Sequence, residues 1–373
     1  MIEINEVKTR KQIKEFVEFP LRLYKGNPYF VPPLYGDEKA LFKKNTVYSE
    51  QAESVFFLAT ENGKTVGRIQ GILQRVANEK WGQKRVRFTR FDAIDDQAVA
   101  NALFQAVEEW AKSKGMEEIV GPLGYSDLDR EGLLIDGFDQ ISTFEEQYNY
   151  AYYPTLLENA GYQKEVDWIE SKLYKPEKVD ERLERVSKKM LEKYELRLAK
   201  AKNSRDFVKK WGDEFFEILD VTYEAIYQSV PFTPKMKKNL IDTFKLALNV
   251  KYATVILDKN DKIVGFGIAL PSIGQALQKS GGRLTPCAIV KTLKAIKNPK
   301  VIDLALIGVI PEYRNKAIAT AIISGLVNML SDGKIEYAET NLNLETNANI
   351  QNQWKSFDRV IHKRRRSYVK KID

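Results

Sequence analysis

The stretch FFLATENGKTVGRIQGIL, residues Phe56–Leu73, decides the fold because the chain answers it later with TVILDKNDKIVGFGIALP, residues Thr254–Pro271. Each is an apolar run, a polar turn holding an Asn, then Val-Gly and a second apolar run. In the first copy the turn is Asn62-Gly63, the strongest short hairpin signal, because both residues accept the positive φ of a tight two-residue turn. A second pair follows in the same order: AVANALFQAVEEWAKSKGMEEI (Ala98–Ile119) against AIATAIISGLVNMLSDGKIEYA (Ala317–Ala338), each reading as a helix and then a strand. Repetition of whole supersecondary units predicts one α/β plan used twice.

Working outward, the first copy opens with a strand at Ile2–Val7 and a helix from Thr9 to Leu23. Gly26-Asn27-Pro28 and Pro32-Pro33 then break the pattern, since proline cannot continue a helix. Beyond the hairpin come strand Arg85–Phe91, helix Gln97–Lys114, strand Glu118–Val120, helix Tyr153–Asn159 and a closing strand, Trp168–Tyr174. The charged amphipathic stretch PEKVDERLERVSKKML, starting at Pro176, reads as a linking helix. The expected division is a first domain over 1–175, a linking helix over 176–193 and a second domain over 194–373. The expected fold class is α/β, a mixed sheet with helices on both faces in each copy. The second copy gains about twenty residues within Ser272–Pro299. The first has its own extension at Gly121–Tyr148.

The 373 residues accommodate two cores. One Cys and one His exclude a disulfide framework and argue against a Cys/His zinc site, so no metal is expected. They equally disfavour Ser-His-Asp and Cys-His chemistry, leaving Cys287 and His362 as structural or surface groups. No apolar run reaches the roughly 18–20 residues of a membrane helix, and MIEINEVKTRKQ has no signal-peptide core. A cytoplasmic protein with no membrane partner is the expectation. The net charge of +8 admits nucleic acid, but the dense basic runs Lys188–Lys189, Lys235–Lys238 and Lys363–Arg366 lack interleaved aromatics. A solvated cationic surface is the preferred reading, and nucleic acid is not the expected partner.

The copies disagree at one loop. Before its helix the first has Asp92, Asp95 and Asp96, where the second has Arg314, Asn315 and Lys316. A helix start carries free N–H groups and the positive end of the backbone dipole, so it suits an anion. Carboxylates there repel a phosphate, whereas a basic turn receives one. Only the second copy is expected to hold a polyanionic ligand.

Strand Asp303–Val309 running into PEYRNKAIATAI resembles the acyl-CoA loop of the GNAT acetyltransferase superfamily, R/Q-x-x-G-x-G/A after an apolar strand. Arg314 takes the first slot, Ala317 the first glycine slot and Ala319 the Gly/Ala slot. The element order of both halves fits that superfamily, which implies two tandem GNAT-like folds. Within it, the chain looks most like bacterial tandem-GNAT proteins carrying VPPL (Val31–Leu34), GP…EGLLIDGFD…YNYAYYP (Gly121–Pro154) and GVIPEYR (Gly308–Arg314). The resemblance implies acyl-CoA, most simply acetyl-CoA. Backbone groups of Ile307, Gly308 and Val309 would hold its pantetheine, and the loop Arg314, Asn315, Lys316, Ala317 with Ile318, Ala319 and Thr320 its phosphates. Asn347 matches an asparagine that contacts the cofactor arm in many members. In the superfamily an amine attacks the thioester directly, without a covalent acyl-enzyme. The slot of the usual tyrosine acid holds Trp354, whose indole N–H is no useful acid, so Tyr337 and Tyr368 stand as substitutes. Glu339 and Glu345 are the candidate bases or water-orienting carboxylates, with a salt-bridged role as the alternative for each. The methyl of Ala317 adds only bulk at a helical φ and costs about 1–2 kcal/mol at a positive one.

The first-copy extension holds Asp127, Asp129, Glu131, Asp136, Asp139, Glu145 and Glu146 against a single basic residue, Arg130, and runs into the aromatics of Tyr148–Tyr153. An acidic pocket edged by aromatics suits an amine. Asp127, Asp129, Glu131, Tyr148, Asn149 and Tyr152 are the candidate substrate contacts, with packing of core and interface as the alternative for the tyrosines. In the second-copy insertion, RLTPCAIVKTLKAIKNPK puts Ile289, Leu293 and Ile296 on one helical face and Lys291, Lys294 and Lys297 elsewhere. Docking on its own domain is expected; a basic lid, a membrane-surface helix and a homodimer contact are the alternatives. The expected function is an acyl-CoA-dependent N-acetyltransferase acting on a small-molecule or peptide amine. The alternatives are a regulatory protein binding acyl-CoA without turnover, and a transferase fed by aminoacyl-tRNA.

Overall fold

The computed structural model describes residues 1–177, 181–314 and 316–372, with the backbone alone at 244–247. The first half supplies β1 (Ile2–Glu6), β2 (Ala52–Glu61), β3 (Lys64–Gln74), β4 (Arg85–Ala93), β5 (Glu118–Gly121), β6 (Leu133–Asp136) and β7 (Gln163–Tyr174). The second supplies β8 (Arg197–Leu198), β9 (Ala253–Leu257), β10 (Ile263–Pro271), β11 (Val301–Val309), β12 (Tyr337–Thr340), β13 (Asn343–Leu344) and β14 (Asp358–Lys371). The helices are α1 (Arg10–Leu23), α2 (Tyr35–Ala40), α3 (Arg75–Trp81), α4 (Gln97–Ser113), α5 (Tyr153–Asn159), α6 (Glu181–Lys193), α7 (Ser204–Tyr223), α8 (Pro234–Ala247), α9 (Gly274–Gln278), α10 (Pro286–Lys297), α11 (Ile318–Ser331) and α12 (Ala348–Gln353). The expected linking helix is α6; residues 178–180 lie outside the described residues.

Both hairpins form as their turns require. Asn62 and Gly63 take φ of 48° and 74°, two positive values as in a type I′ turn, and β2 pairs with β3 from Glu61↔Lys64 to Ala52↔Gln74. In the second copy the Asp258 carboxylate accepts the N–H groups of Asn260 and Lys262, each at 2.8 Å, and reinforces a turn that Asp258 N–H closes on Lys262 O, also at 2.8 Å. Alternation along the strands then sorts two faces. Phe56 and Leu58 pack on Phe16 of α1, while Ala59 and Ile69 pack on Val99, Leu103 and Phe104 of α4. The second half repeats this, with Val255, Leu257 and Phe266 against α7 and Ile256 and Val264 against α11. Helices cover both faces of a mixed sheet.

The sheet order is β1-β2-β3-β4-β5-β14-β7-β12-β11-β10-β9-β8, with β6 beside β14 and β13 beside β7. It reads alike from either edge with the halves interchanged, except that the closing strands have crossed. Strand β14 lies against β5 of the first half, from Tyr368↔Gly121 to Lys371↔Glu118. Strand β7 lies against β12 of the second, at Ala338↔Leu173 and Glu339↔Lys172. The two pair with each other along a seam from Asp358↔Tyr174 to Val369↔Gln163. The expected division at 175 and 194 follows the order of elements along the chain; in the sheet each closing strand lies across it.

The parallel pairs are short. Strands β4 and β5 pair from Arg85↔Glu118 to Arg87↔Val120, and β11 and β12 from Val301↔Tyr337 to Leu304↔Thr340. Beyond Arg87 and Leu304 the partners part, so each half has a gap at the carboxyl end of its fourth strand, where open α/β sheets bind ligands.

Candidate functional site

The first gap is closed by the chain itself. Leu123 N–H donates to Phe88 O at 2.9 Å, Tyr152 Oη donates to Ala93 O at 2.7 Å, and Ala93 N–H donates to Tyr153 Oη at 3.0 Å. The helix beyond, α4, is capped by Asp96, whose carboxylate accepts the N–H groups of Ala98 and Val99 at 2.8 and 3.2 Å. An incoming anion would meet a carboxylate already seated on the free amides. Asp92 is drawn inward by Arg68 at 2.7 Å and by the Tyr24 hydroxyl at 2.9 Å.

The second gap is built otherwise. Helix α11 begins at Ala317 with no side-chain cap. Arg314 is exposed, with Nε donating to Val309 O at 3.2 Å, and Lys316 Nζ stands 4.4 Å over the Tyr313 ring. Asn315 lies outside the described residues. Ala317 has φ 55° and ψ 23°, a left-handed conformation at the slot where the GNAT pattern has glycine. The methyl therefore stands where it costs about 1–2 kcal/mol. Ala317→Gly removes that strain but loses about 0.5–1 kcal/mol to unfolded-state entropy. The expected result is a small net gain, at most about 1.5 kcal/mol, read as a raised urea midpoint.

On the open edge of β11, Ile307 N–H donates to the Tyr223 hydroxyl at 3.2 Å. Gly308 serves packing: a Cβ there would meet Phe266 at 2.6 Å and Thr222 Oγ1 at 2.9 Å. Across the mouth of this gap stands the first-half extension. Asp127 is within electrostatic reach of the Tyr223 hydroxyl and accepts the N–H of Val230, and burial raises its carboxyl to about 6. Burial raises Glu131 as well, with Glu146 and Asp127 adding to the effect. Arg87 anchors the group, donating to Gly124 O at 3.0 Å and to Gln228 O and Oε1 at 2.9 and 3.0 Å. Burial pushes the Arg87 guanidinium down to about 10. Groups of both halves thus come together near Tyr223 and Gln228.

No family model matches the chain. It is 27% identical over 369 residues to Protein YghO of Escherichia coli (strain K12), covering 97% of this chain and 94% of the relative. It is 27% identical over 325 residues to a bacterial ceramide synthase of Caulobacter vibrioides (strain NA1000 / CB15N), covering 84% of this chain and 82% of the relative. A solved structure, the tandem GNAT protein from the clavulanic acid biosynthesis pathway, superposes with a TM-score of 0.60 at 11% identity, over 100% of this chain and 99% of that one. The chain has a tandem GNAT fold.

Within the two GNAT units the remaining candidates fall in different places. Glu339 is no free base. Burial opposes its ionisation, but Lys363 at 2.6 Å and His362 at 3.2 Å overcome this and hold its pKa at about 2. Glu345 sits at the surface, paired with Lys164 at 2.5 Å. Tyr337 pairs with Val301 at the amino end of the parallel ladder, away from Val309 and the loop. Tyr368 is carried on β14 into the core of the first unit, where its hydroxyl donates to Glu158 at 3.4 Å. Asn347 caps α12 through Ile350 N–H at 3.2 Å, and Trp354 is buried with its indole N–H on Asn343 at 2.7 Å. Among the acceptor candidates, Asp129 holds its own turn through the N–H groups of Tyr125 and Ser126 at 2.9 and 3.1 Å. Asn149 bonds Leu134 on both backbone atoms, at 2.7 and 3.0 Å. The Tyr148 hydroxyl donates to Phe138 O at 2.9 Å, and Tyr152 helps close the first gap. Of that set, Asp127 is within electrostatic reach of Tyr223 and Glu131 of Tyr227 in the second unit. Tyr223, Arg87 and Gln228 escaped the sequence reading. One signal was present: the opening helix of each unit ends on a tyrosine, Tyr24 or Tyr223, that reaches the fourth strand of its own unit.

Proposed function

We propose that this chain is an acyl-CoA-dependent N-acyltransferase whose second GNAT unit holds the donor and whose first unit walls the acceptor side. The observation that carries the reading is the contrast in helix starts: α11 opens uncapped beside Arg314 and Lys316, whereas α4 opens on the Asp96 carboxylate. The residues fit a phosphate-bearing donor, with the first-turn amides at Ile318 and Ala319 and two cationic side chains available to it. Bound acyl-CoA supplies an acyl carbonyl activated as a thioester. The Ile307 and Val309 backbone would hold the pantetheine once the Tyr223 hydroxyl yields the Ile307 N–H. Asp127, raised to about 6, is ionised at neutral pH yet basic enough to take the proton of an attacking amine.

A ceramide is an N-acylated long-chain amine. The 27% identity to a protein named bacterial ceramide synthase therefore puts long-chain acyl donors and lipid amines beside acetyl-CoA and small-molecule or peptide amines among those to try first. A second reading, binding without turnover, draws on the Tyr223 hydroxyl sitting on Ile307 N–H and on the burial of Trp354. Thermal shift with acetyl-CoA and with long-chain acyl-CoAs is the first test. A stabilisation that Arg314→Glu removes is expected; no shift with any acyl-CoA ends the donor-site reading. Thiol release over a panel of amines then separates the two readings, since binding without release supports the second.

A further inference from the structure

The insertion between β10 and β11 docks through a face rotated from the one its amphipathic pattern predicts, sharing only Ile296 with it. In α10 the residues turned to the protein are small or partly buried: Ala288 is 3% exposed, and Thr292, Ala295 and Ile296 are half-buried. The large apolar side chains of the opposite face look outward, with Ile289 42%, Val290 66% and Leu293 60% exposed, and Leu284 just before the helix 59% exposed. The expected docking of Ile289 and Leu293 on their own domain does not occur.

The segment leading into α10 is tied to the first unit. Gln278 Nε2 donates to Pro28 O and Phe30 O of the first unit at 2.9 and 3.0 Å, and Tyr35 N–H donates to Gly282 O at 3.0 Å. Arg283 pairs with Glu18 at 2.8 Å and lies 4.0 Å over the Tyr35 ring. The apolar stripe is therefore held out to solvent by both units.

Charge selects the occupant. Ser272–Pro299 contains Lys279, Arg283, Lys291, Lys294 and Lys297 and no Asp or Glu. Among the described residues, Lys279, Lys291, Lys294 and Lys297 have no ion pair, and the last three flank the apolar stripe on α10. A second copy of this chain would bring the same positive charge against itself, and nucleic acid has no use for the exposed Val290 and Leu293. An anionic lipid surface satisfies both features: apolar side chains enter the acyl boundary and lysines reach up to the headgroups. We infer that α10 is an interfacial helix that seats this protein on an anionic membrane surface. The inference stands apart from the acyl-transfer reading and survives its failure.

The test is co-sedimentation of the full chain with phosphatidylcholine vesicles, with and without phosphatidylglycerol. Binding is expected only with phosphatidylglycerol, weakening as salt rises. Val290→Ser/Leu293→Ser and Lys291→Glu/Lys294→Glu/Lys297→Glu are each expected to cut partitioning at least about tenfold with the Tm unchanged. Failure of the wild type to bind the anionic vesicles, or equal binding by both variants, overturns the inference. So does light scattering that shows a dimer which Val290→Ser/Leu293→Ser converts to monomer, because the stripe then belongs to a second copy. Salt-sensitive nucleic-acid binding without vesicle binding overturns it as well.

Discussion

Asp127→Asn is expected to reduce acyl-transfer turnover by about 10²–10⁴-fold while leaving acyl-CoA binding in place. The amide keeps the shape of the side chain and can still accept the Val230 N–H, but it cannot take a proton. The pH profile separates this role from a structural one. A base must be ionised to act, and burial raises the Asp127 carboxyl to about 6. Wild-type kcat/KM should therefore climb as pH rises through about 6 and flatten above it, apart from any limb set by the acceptor amine itself. The variant should lack the limb near 6. Turnover in Asp127→Asn equal to wild type, or a limb that persists in it, removes Asp127 from the chemistry.

Lys363→Met is expected to destabilise the fold by about 3–5 kcal/mol, because it leaves carboxylates buried beside an apolar side chain. Lys363 is fully enclosed at the β7–β14 seam, 2.7 Å from Glu170 and 2.6 Å from Glu339, with Arg365 on the other Glu170 oxygen at 2.6 Å. The sign of the pH dependence follows from Glu339. Its folded pKa, about 2, lies below the ordinary 4.5, so its contribution is complete above about 4.5 and lost as pH falls towards 2. The deficit of Lys363→Met should accordingly be largest near neutrality and shrink in acid, read from urea midpoints across pH. Adding Glu170→Gln and Glu339→Gln should return part of the loss at neutral pH. A single variant as stable as wild type would mean that water reaches the seam.

What the sequence disclosed and what it hid have a common physical basis. Hairpin turns and the charge at a helix start are local, so Asn62-Gly63 and the contrast of Asp96 with Arg314 could be read where they stand. The partner of a closing strand is settled by register across nearly the whole chain. Nothing in QKEVDWIESKLY or DRVIHKRRRSYVKK says which half each will join. Lys363–Arg366 looked like a solvated basic run because two of the carboxylates it meets, Glu170 and Asp167, lie almost two hundred positions away. Alternation within it was visible all the same, with Lys363 and Arg365 buried and Arg364 and Arg366 more open. Glu339 was legible as a carboxylate near the second gap; its partners decided its role. The α10 face misled because an amphipathic pattern announces that something covers the apolar side, without saying that the cover belongs to the same molecule.

Crossed closing strands also change what duplication permits. In a symmetric dimer of separate chains every substitution appears twice, so a carboxylate on one helix start would silence both pockets. Joined in one polypeptide, one sibling can carry Asp96 while the other keeps Arg314 and Lys316. The sibling without an open gap cannot be discarded, since β7 completes its neighbour's sheet and its extension borders its neighbour's mouth. On the proposed reading, one unit would hold the donor while the other serves as its scaffold.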